Sequence, residues 1–165
     1  MKKQKQVTIS TDGLGIDLGN PAAVNSIIKV CNPYCGPCAT AHPKIEELLK
    51  QNENVKAKII FTTAVDDNDL NPALKPTRHL MAIAAQGNNV NQSLDDWYLT
   101  ETKDYEKFAT KYPLNGELIK QDEEIKAMKK WCDKMEIKFT PTIFINGYQL
   151  PDAYSIEDLQ YFLLE

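Results

Sequence analysis

Three of the chain's four cysteines lie in one short run, Cys31-Asn32-Pro33-Tyr34-Cys35-Gly36-Pro37-Cys38. The run stands where a β-branched apolar stretch, Ile27 to Cys31, gives way to a helical pattern. That helix is predicted from near Cys35 to about Gln51, with Ile45, Leu48 and Leu49 on its apolar face. A cysteine at a helix N-terminus meets unpaired N–H groups and the positive end of the helix dipole. The spacing therefore predicts a stabilised Cys35 thiolate, with a pKa below the ~8.5 of a free thiol. Cys38, one turn further in, is expected to be more buried and to resolve a mixed disulfide. A two-residue spacer lets the pair close without unwinding the helix. Pro37 is tolerated in the first turn, where its missing N–H costs little.

The rest of the chain supplies a frame for that junction. Gln6 to Ser10 alternates and reads as an edge strand, while Asp12-Gly13 and Gly19-Asn20-Pro21 are turn signals. Val55 to Thr63 reads as a second buried strand, ended by the acidic turn Asp66 to Asn71. From Pro72 to Met135 the pattern is helical. One stretch carries Leu80, Ile83 and Ala84, and another Leu94, Trp97 and Tyr98. A longer one carries Leu118, Ile125, Met128, Cys132 and Met135. Phe139 to Ile145 reads as a third strand, Asn146-Gly147 as a hairpin turn, and Tyr148 to Leu150 as the returning strand. Ser155 and Asp158 have the spacing of a helix start, and Ile156, Leu159, Phe162 and Leu163 recur at helical period. The order implies an α/β layout, a central mixed sheet flanked by helices with a helical insertion.

Composition removes several classes. With 165 residues, 42% of them hydrophobic, the chain can build a core and is not a disordered segment. A net charge of −4 argues against a nucleic-acid partner. No apolar run approaches a membrane span. The start, Met1 to Gln6, is basic but no apolar stretch follows, so it does not read as an export signal. That leaves a cytoplasmic protein, or a piece of a longer precursor or membrane protein.

Tyr34-Cys35-Gly36-Pro37-Cys38 resembles the active site of the thioredoxin family. Pro43, eight residues after Cys35, matches the proline in the family's active-site helix. Phe139-Thr140-Pro141-Thr142 resembles its cis-proline loop. The long separation of Cys38 from Pro141 is similar to the DsbA-type variant, which carries inserted helices. The resemblance implies a thioredoxin fold in three parts: 1–65 with the C-G-P-C site, an all-helical insertion at 66–135, and 136–165 with the proline loop. It implies Cys35 and Cys38 as the catalytic pair and Thr140 and Pro141 as the substrate platform, with Tyr34, Gly36, Pro37, Lys29 and His42 in support. Pro141 also fits the opening of a strand, where proline is tolerated. The string from Lys29 to Cys38, with His42 after it, is similar to thioredoxin domains fused to bacterial vitamin K epoxide reductase-like membrane proteins.

In one place the chain departs from that pattern. Six residues before the nucleophile the family often carries a buried acid, and here stands Lys29. Two readings stand: Lys29 snorkels to solvent, or its charge stabilises the thiolate of Cys38. His42 reads as a partly exposed helix residue, with tuning of Cys38 one turn earlier as its alternative. Cys31 and Cys132 read as small buried hydrophobes, the alternative being a disulfide between them. His79 has no partner legible in the sequence. Asp66-Asp67-Asn68-Asp69 reads as a solvated turn, lacking the glycine and distal glutamate of a calcium loop. Trp97, Tyr98, Trp131 and the methionines read as insertion core. Cys31, Cys35 and Cys38 also form the C-x3-C-x2-C of iron–sulfur radical enzymes, which need a longer barrel. A zinc site from Cys35, Cys38, His42 and Cys31 or Cys132 conflicts with the pair's place on a helix. No metal is expected.

The resemblance implies a thiol–disulfide oxidoreductase that needs no cofactor, because the cysteine pair carries the electrons. Its partners would be proteins with thiols or disulfides, and a membrane vitamin K epoxide reductase-like protein. A Gly-Pro spacer suits a reductant, whereas the inserted helices suit disulfide formation in exported proteins, in the periplasm or at the outer face of a membrane. A cytoplasmic reductase and a redox-inactive peptide-binding module are the alternatives.

Overall fold

The computed structural model describes residues 5–66, 68, 70–87, 90–114, 116–151 and 156–158. In chain order the elements are β1 (Ile16–Gly19), β2 (Asn25–Cys31), α1 (Gly36–Gln51), β3 (Val55–Phe61), α2 (Leu74–Gln86), α3 (Val90–Tyr98), α4 (Tyr105–Lys111), α5 (Asp122–Lys134), β4 (Thr142–Ile145) and β5 (Tyr148–Gln149). Among the described residues five strands form one mixed sheet in the order β1-β3-β2-β4-β5. β2 lies at its centre, parallel to β3 with Lys29 opposite Ile59, and antiparallel to β4 with Val30 opposite Thr142. A strand paired on both sides needs both faces covered, which explains its run of apolar side chains.

Alternation along β2 assigns its neighbours. Lys29 and Cys31 point to the side of α1 and α3, where the Lys29 ammonium meets Cys38 and Tyr98. Phe144, opposite Ile28, points to the other side and packs edge-on against Trp131 of α5. Between β3 and β4 the chain spends α2 to α5 as one helical block. Arg78 of α2 grips Asp122 of α5 through two hydrogen bonds of 2.7 and 2.8 Å. The first turn of α5 is acidic, with Asp122, Glu123 and Glu124, and its last turn carries Lys134, so both ends match the helix dipole.

Several sequence expectations shift. Gln6 to Ser10 does not form a strand; it touches the sheet only through a bridge from Gln6 to Tyr148, supported by Val7 N–H donating to the Gly147 carbonyl. The first strand is β1, held between two turns. The third predicted strand shrinks to β4, because Phe139 to Pro141 form a loop. The third helical stretch is α5, preceded by a 3-10 turn at Ile119–Gln121. α4 was not singled out by apolar period; Asp104 caps it by accepting from Lys107 N–H. Asp66 accepts from the N–H groups of Asn68 and Leu70, as in a polar turn, while Asp67 and Asp69 lie outside the described residues. The predicted C-terminal helix also lies outside them, apart from a 3-10 turn at Ile156–Asp158.

Gly15 shows why β1 begins where it does. Its φ is +77°, and a Cβ there would lie 2.2 Å from the Ile59 carbonyl oxygen. Gly15→Ala is expected to lower stability by on the order of 2–4 kcal/mol, a left-handed Cβ penalty plus a backbone overlap. Gly13, at φ +79° with open space around it, is the control. Alanine there is expected to cost only the first part, about 1–2 kcal/mol. Urea denaturation of both variants checks the difference.

Candidate active site

The site forms where β2 ends. Asn32 organises the turn: its side-chain oxygen accepts from Tyr34 N–H at 2.9 Å and its carbonyl from Cys35 N–H at 3.1 Å. Cys35 is then the N-cap of α1, with extended backbone (φ −80°, ψ 118°). Its Sγ accepts the N–H of Cys38 at 3.2 Å, as a capping side chain does. Pro37 sits in the exposed first turn, and Pro43 lies inside the helix. A Cβ on Gly36 would meet nothing within 4 Å, so the first turn of the helix is uncovered at that position.

Opposite Cys35 stands the loop before β4. The Cys35 thiol donates to the Thr140 carbonyl at 3.5 Å, and the Thr140–Pro141 bond is cis. The loop is closed by Thr142, whose hydroxyl donates to the Phe139 carbonyl at 2.6 Å. Tyr34 and Phe139, the residues just before Cys35 and Thr140, are both exposed, at 43% and 53%.

All four cysteines carry free thiols. Cys35 is half-buried, and Cys38, Cys31 and Cys132 are buried. The expected depression of the Cys35 pKa is not found. Partial burial, and then the Cys38 thiol beside it, push Cys35 above its ordinary value, against the Thr140 side chain and the Cys38 N–H. The helix end does bind the sulfur, but desolvation and a neighbouring thiol outweigh it in the reduced pair. The hydrogen bond from Cys31 and then burial drive Cys38 far higher. Cys132 fits the apolar-core reading: its Sγ faces the Phe61 carbonyl and burial lifts it to about 11.

Lys29 does not snorkel. It is 1% exposed, and its Nζ donates to the Cys38 carbonyl at 2.8 Å while lying 4.9 Å from the centre of the Tyr98 ring. Its hydrogen bond goes to the backbone of Cys38, and its charge bears on the neighbouring Cys31 thiol. His42 is likewise buried, correcting the half-exposed expectation. Its Nε2 lies 2.8 Å from Asp95 and 3.4 Å from Glu46, and its ring lies 5.5 Å from that of Tyr98. Burial lowers the His42 pKa, against the pull of Asp95. His79 also gains partners, the Tyr105 hydroxyl and the Tyr112 carbonyl.

Two residues read as insertion core belong to the site. The indole N–H of Trp97 donates to the Pro33 carbonyl at 2.8 Å, and the Tyr98 hydroxyl donates to the Asn32 carbonyl at 3.4 Å. Trp131, by contrast, donates to the Ile9 carbonyl on the far face of the sheet. For metals, His42, Glu46 and Asp95 are the grouping among the described residues that gathers three ligand atoms within 4.8 Å. The three cysteine sulfurs do not gather in this way, and His42 turns to carboxylates, so the ligand sets considered for zinc and for an iron–sulfur cluster are not assembled.

The carboxylates bring a pH dependence. Burial and then Asp95 push the Glu46 carboxyl from 4.5 up to about 7. Between those values the folded chain keeps a proton that the unfolded chain has lost, so this contribution to stability falls as pH rises through the window. Glu46→Gln removes the titration. The stability of the variant relative to the parent is expected to rise from about pH 5 to about pH 8, as read by chemical denaturation.

A central parallel strand that delivers a C-x-x-C to a helix start, with a Thr-Pro loop facing the first sulfur, defines a dithiol protein of thioredoxin type. The thioredoxin family model matches residues 11–165, and the chain belongs to that family. Solved structures share the DsbA-like form of the fold. Oxidised BdbD from Bacillus subtilis is 13% identical with a TM-score of 0.74, covering 99% of this chain and 97% of its own. The thiol-disulfide exchange protein alpha-DsbA2 from Wolbachia pipientis is 13% identical with a TM-score of 0.70, covering 92% and 87%. A periplasmic thioredoxin-like protein from Salmonella enterica serovar Typhimurium is 11% identical with a TM-score of 0.72, covering 90% and 87%. Comparison with curated proteins finds no match. No helix among the described residues is long and apolar enough to cross a membrane.

Proposed function

We propose that the protein is a thiol–disulfide oxidoreductase that forms disulfides in exported proteins. One observation carries this reading: the Cys35 sulfur caps α1 on the Cys38 N–H while facing the Thr140 carbonyl at 3.5 Å. In the oxidised form a substrate thiolate attacks the Cys35 sulfur. The Cys35–Cys38 bond breaks, its electron pair leaves with Cys38, and Cys38 takes up a proton. Its raised pKa suits it to hold that proton. A second substrate thiolate then attacks the substrate sulfur of the mixed disulfide and releases Cys35. Two electrons have entered the pair and the substrate has gained one disulfide.

Thr140 and Pro141 form the edge on which a substrate segment lies, and Tyr34 and Phe139 flank it. Gly36 and Pro37 keep the helix start open, and Lys29 and His42 support it from beneath. The inserted helices, shared with a thiol-disulfide exchange protein and a periplasmic relative, support an extracytoplasmic setting. There a vitamin K epoxide reductase-like membrane protein would take the two electrons onward. A second reading, a reductant, is favoured by the Cys35 pKa. A strong oxidant of this kind owes its power to a stabilised reduced form, and here the reduced Cys35 thiol lies above its ordinary value.

Two measurements test these readings. In an insulin reduction assay the wild-type chain is expected to accelerate turbidity and Cys35→Ser to abolish the acceleration; an inactive wild type would make the protein a binding module instead. Equilibration with glutathione then separates the two directions. The proposed role predicts a potential toward the roughly −120 mV of DsbA, and a value near the −270 mV of thioredoxin would reassign it as a reductant.

A further inference from the structure

Cys31 closes β2 with no exposed surface, and the exchange cycle above makes no use of it. Its thiol is in hydrogen-bonding contact with that of Cys38, and Cys38 in turn contacts Cys35. Because the three sulfurs do not gather within 4.8 Å of one another, they form a row with Cys38 in the middle. The surroundings of Cys31 are not those of an inert core thiol. The Lys29 ammonium is buried on the same strand face and pinned by the Cys38 carbonyl at 2.8 Å. The Tyr98 side chain reaches the same sulfur. Burial pushes the Cys31 thiol up; in the reduced protein the bond to Cys38, the Lys29 charge and Tyr98 outweigh it, and once Cys38 is held in a disulfide the Lys29 charge and Tyr98 still act on this sulfur. A buried cysteine in apolar surroundings shifts upward and stays unreactive.

We propose that Cys31 is a third exchanging thiol, which takes Cys38 from Cys35 and moves the disulfide inward. This inference rests on the reading of Cys35 and Cys38 as a redox pair. The Cys31 thiolate attacks the Cys38 sulfur of the Cys35–Cys38 disulfide. The Cys31–Cys38 bond forms, the Cys35–Cys38 bond breaks, and the electron pair leaves with Cys35. The proton given up by Cys31 passes to Cys35 or to water. One disulfide replaces another, so no oxidant or reductant is consumed.

The exchange changes what the surface presents. With the disulfide at Cys35–Cys38, the exposed sulfur is an electrophile that accepts substrate thiolates. With the disulfide at Cys31–Cys38, both bonded sulfurs are buried and Cys35 is a free nucleophile with no resolving neighbour. A mixed disulfide formed in that state lasts until the substrate resolves it, which suits the reshuffling of wrongly paired cysteines.

The three cysteines fall on one tryptic peptide, between Lys29 and Lys44, so position is read by label and not by cross-link. The full chain is equilibrated with oxidised and reduced glutathione and quenched in acid. Free thiols are blocked with a maleimide, disulfides are reduced and the released thiols take iodoacetamide. Fragmentation of the peptide then locates each label. In wild type, a maleimide on Cys35 is expected in about 1–10% of the singly oxidised chains, the size of a minor state in exchange with a major one. Cys35→Ser keeps a good N-cap, and is expected to convert fully to Cys31–Cys38. Maleimide confined to Cys31 in oxidised wild type, with Cys31 and Cys38 unjoined in Cys35→Ser, would overturn the proposal and leave the Cys35–Cys38 pair intact. Three maleimides at every glutathione ratio would sink the redox pair itself, and the proposal with it.

Discussion

A Cys38→Ser chain is expected to make the first bond with a substrate and then stall. Cys35 stays on the surface facing Thr140, so attack on a substrate disulfide proceeds. The thiol that would attack the Cys35 sulfur of the mixed disulfide and expel the substrate thiolate, closing the Cys35–Cys38 bond, is gone. An adjacent thiol acts at an effective concentration far above that of any dissolved one, so its loss is expected to slow release by on the order of 10³-fold or more. Non-reducing gels of the reduced variant mixed with a disulfide-bonded substrate would show a covalent adduct that reductant dissolves. Cys31 cannot stand in for the missing thiol, because its contact is with Cys38 and not with Cys35. Wild-type turnover in this variant would show that the escape route lies elsewhere.

Trp97→Ala carries the largest expected loss of stability. The indole is 2% exposed and meets Tyr34 and Phe108 edge-on at 5.5 and 5.4 Å. Removing it leaves a cavity and a buried Pro33 carbonyl without its 2.8 Å donor. The expected cost is about 3–5 kcal/mol. Trp97→Phe keeps most of the packing and loses only the N–H, for which about 1–3 kcal/mol is expected. Guanidinium titrations of both variants separate the two contributions. Equal losses would mean that the hydrogen bond, not the volume, holds α3 against the cysteine loop.

How far the sequence could be read follows from how local each signal is. β2, β3 and α1 were legible because their patterns are long and their ends are marked, α1 by Cys35 and Pro37. β1 was not, since Ile16 to Gly19 is only four residues between glycines that read as turns. The loop of Phe139 to Pro141 looked like strand because its neighbours are β-formers, and only Pro141 hinted otherwise. Cys35, Cys38, Thr140 and Pro141 were legible from spacing and from resemblance. The burial of Lys29 and His42 was not, because the residues that cover them, Tyr98 and Asp95, come from α3. Helical period placed Trp97 and Tyr98 on an apolar face and said nothing of which loop that face would meet. The Cys35 pKa failed for a related reason. A helix end can be read from sequence, whereas the Cys38 thiol packed beside it depends on side-chain placement.

The hydrogen bond between Cys35 and the Thr140 carbonyl spans 105 residues of chain, and this sets an order of events at birth. A growing polypeptide presents Cys31, Cys35 and Cys38 as three bare, unselected thiols long before Thr140 has been made. Ribosomes add about 5–20 residues each second, so that interval lasts several seconds at least. A disulfide closed during it is chosen by chain proximity alone, without the framework that later tells the three sulfurs apart. The chain therefore benefits from reaching its shape before it meets an oxidant.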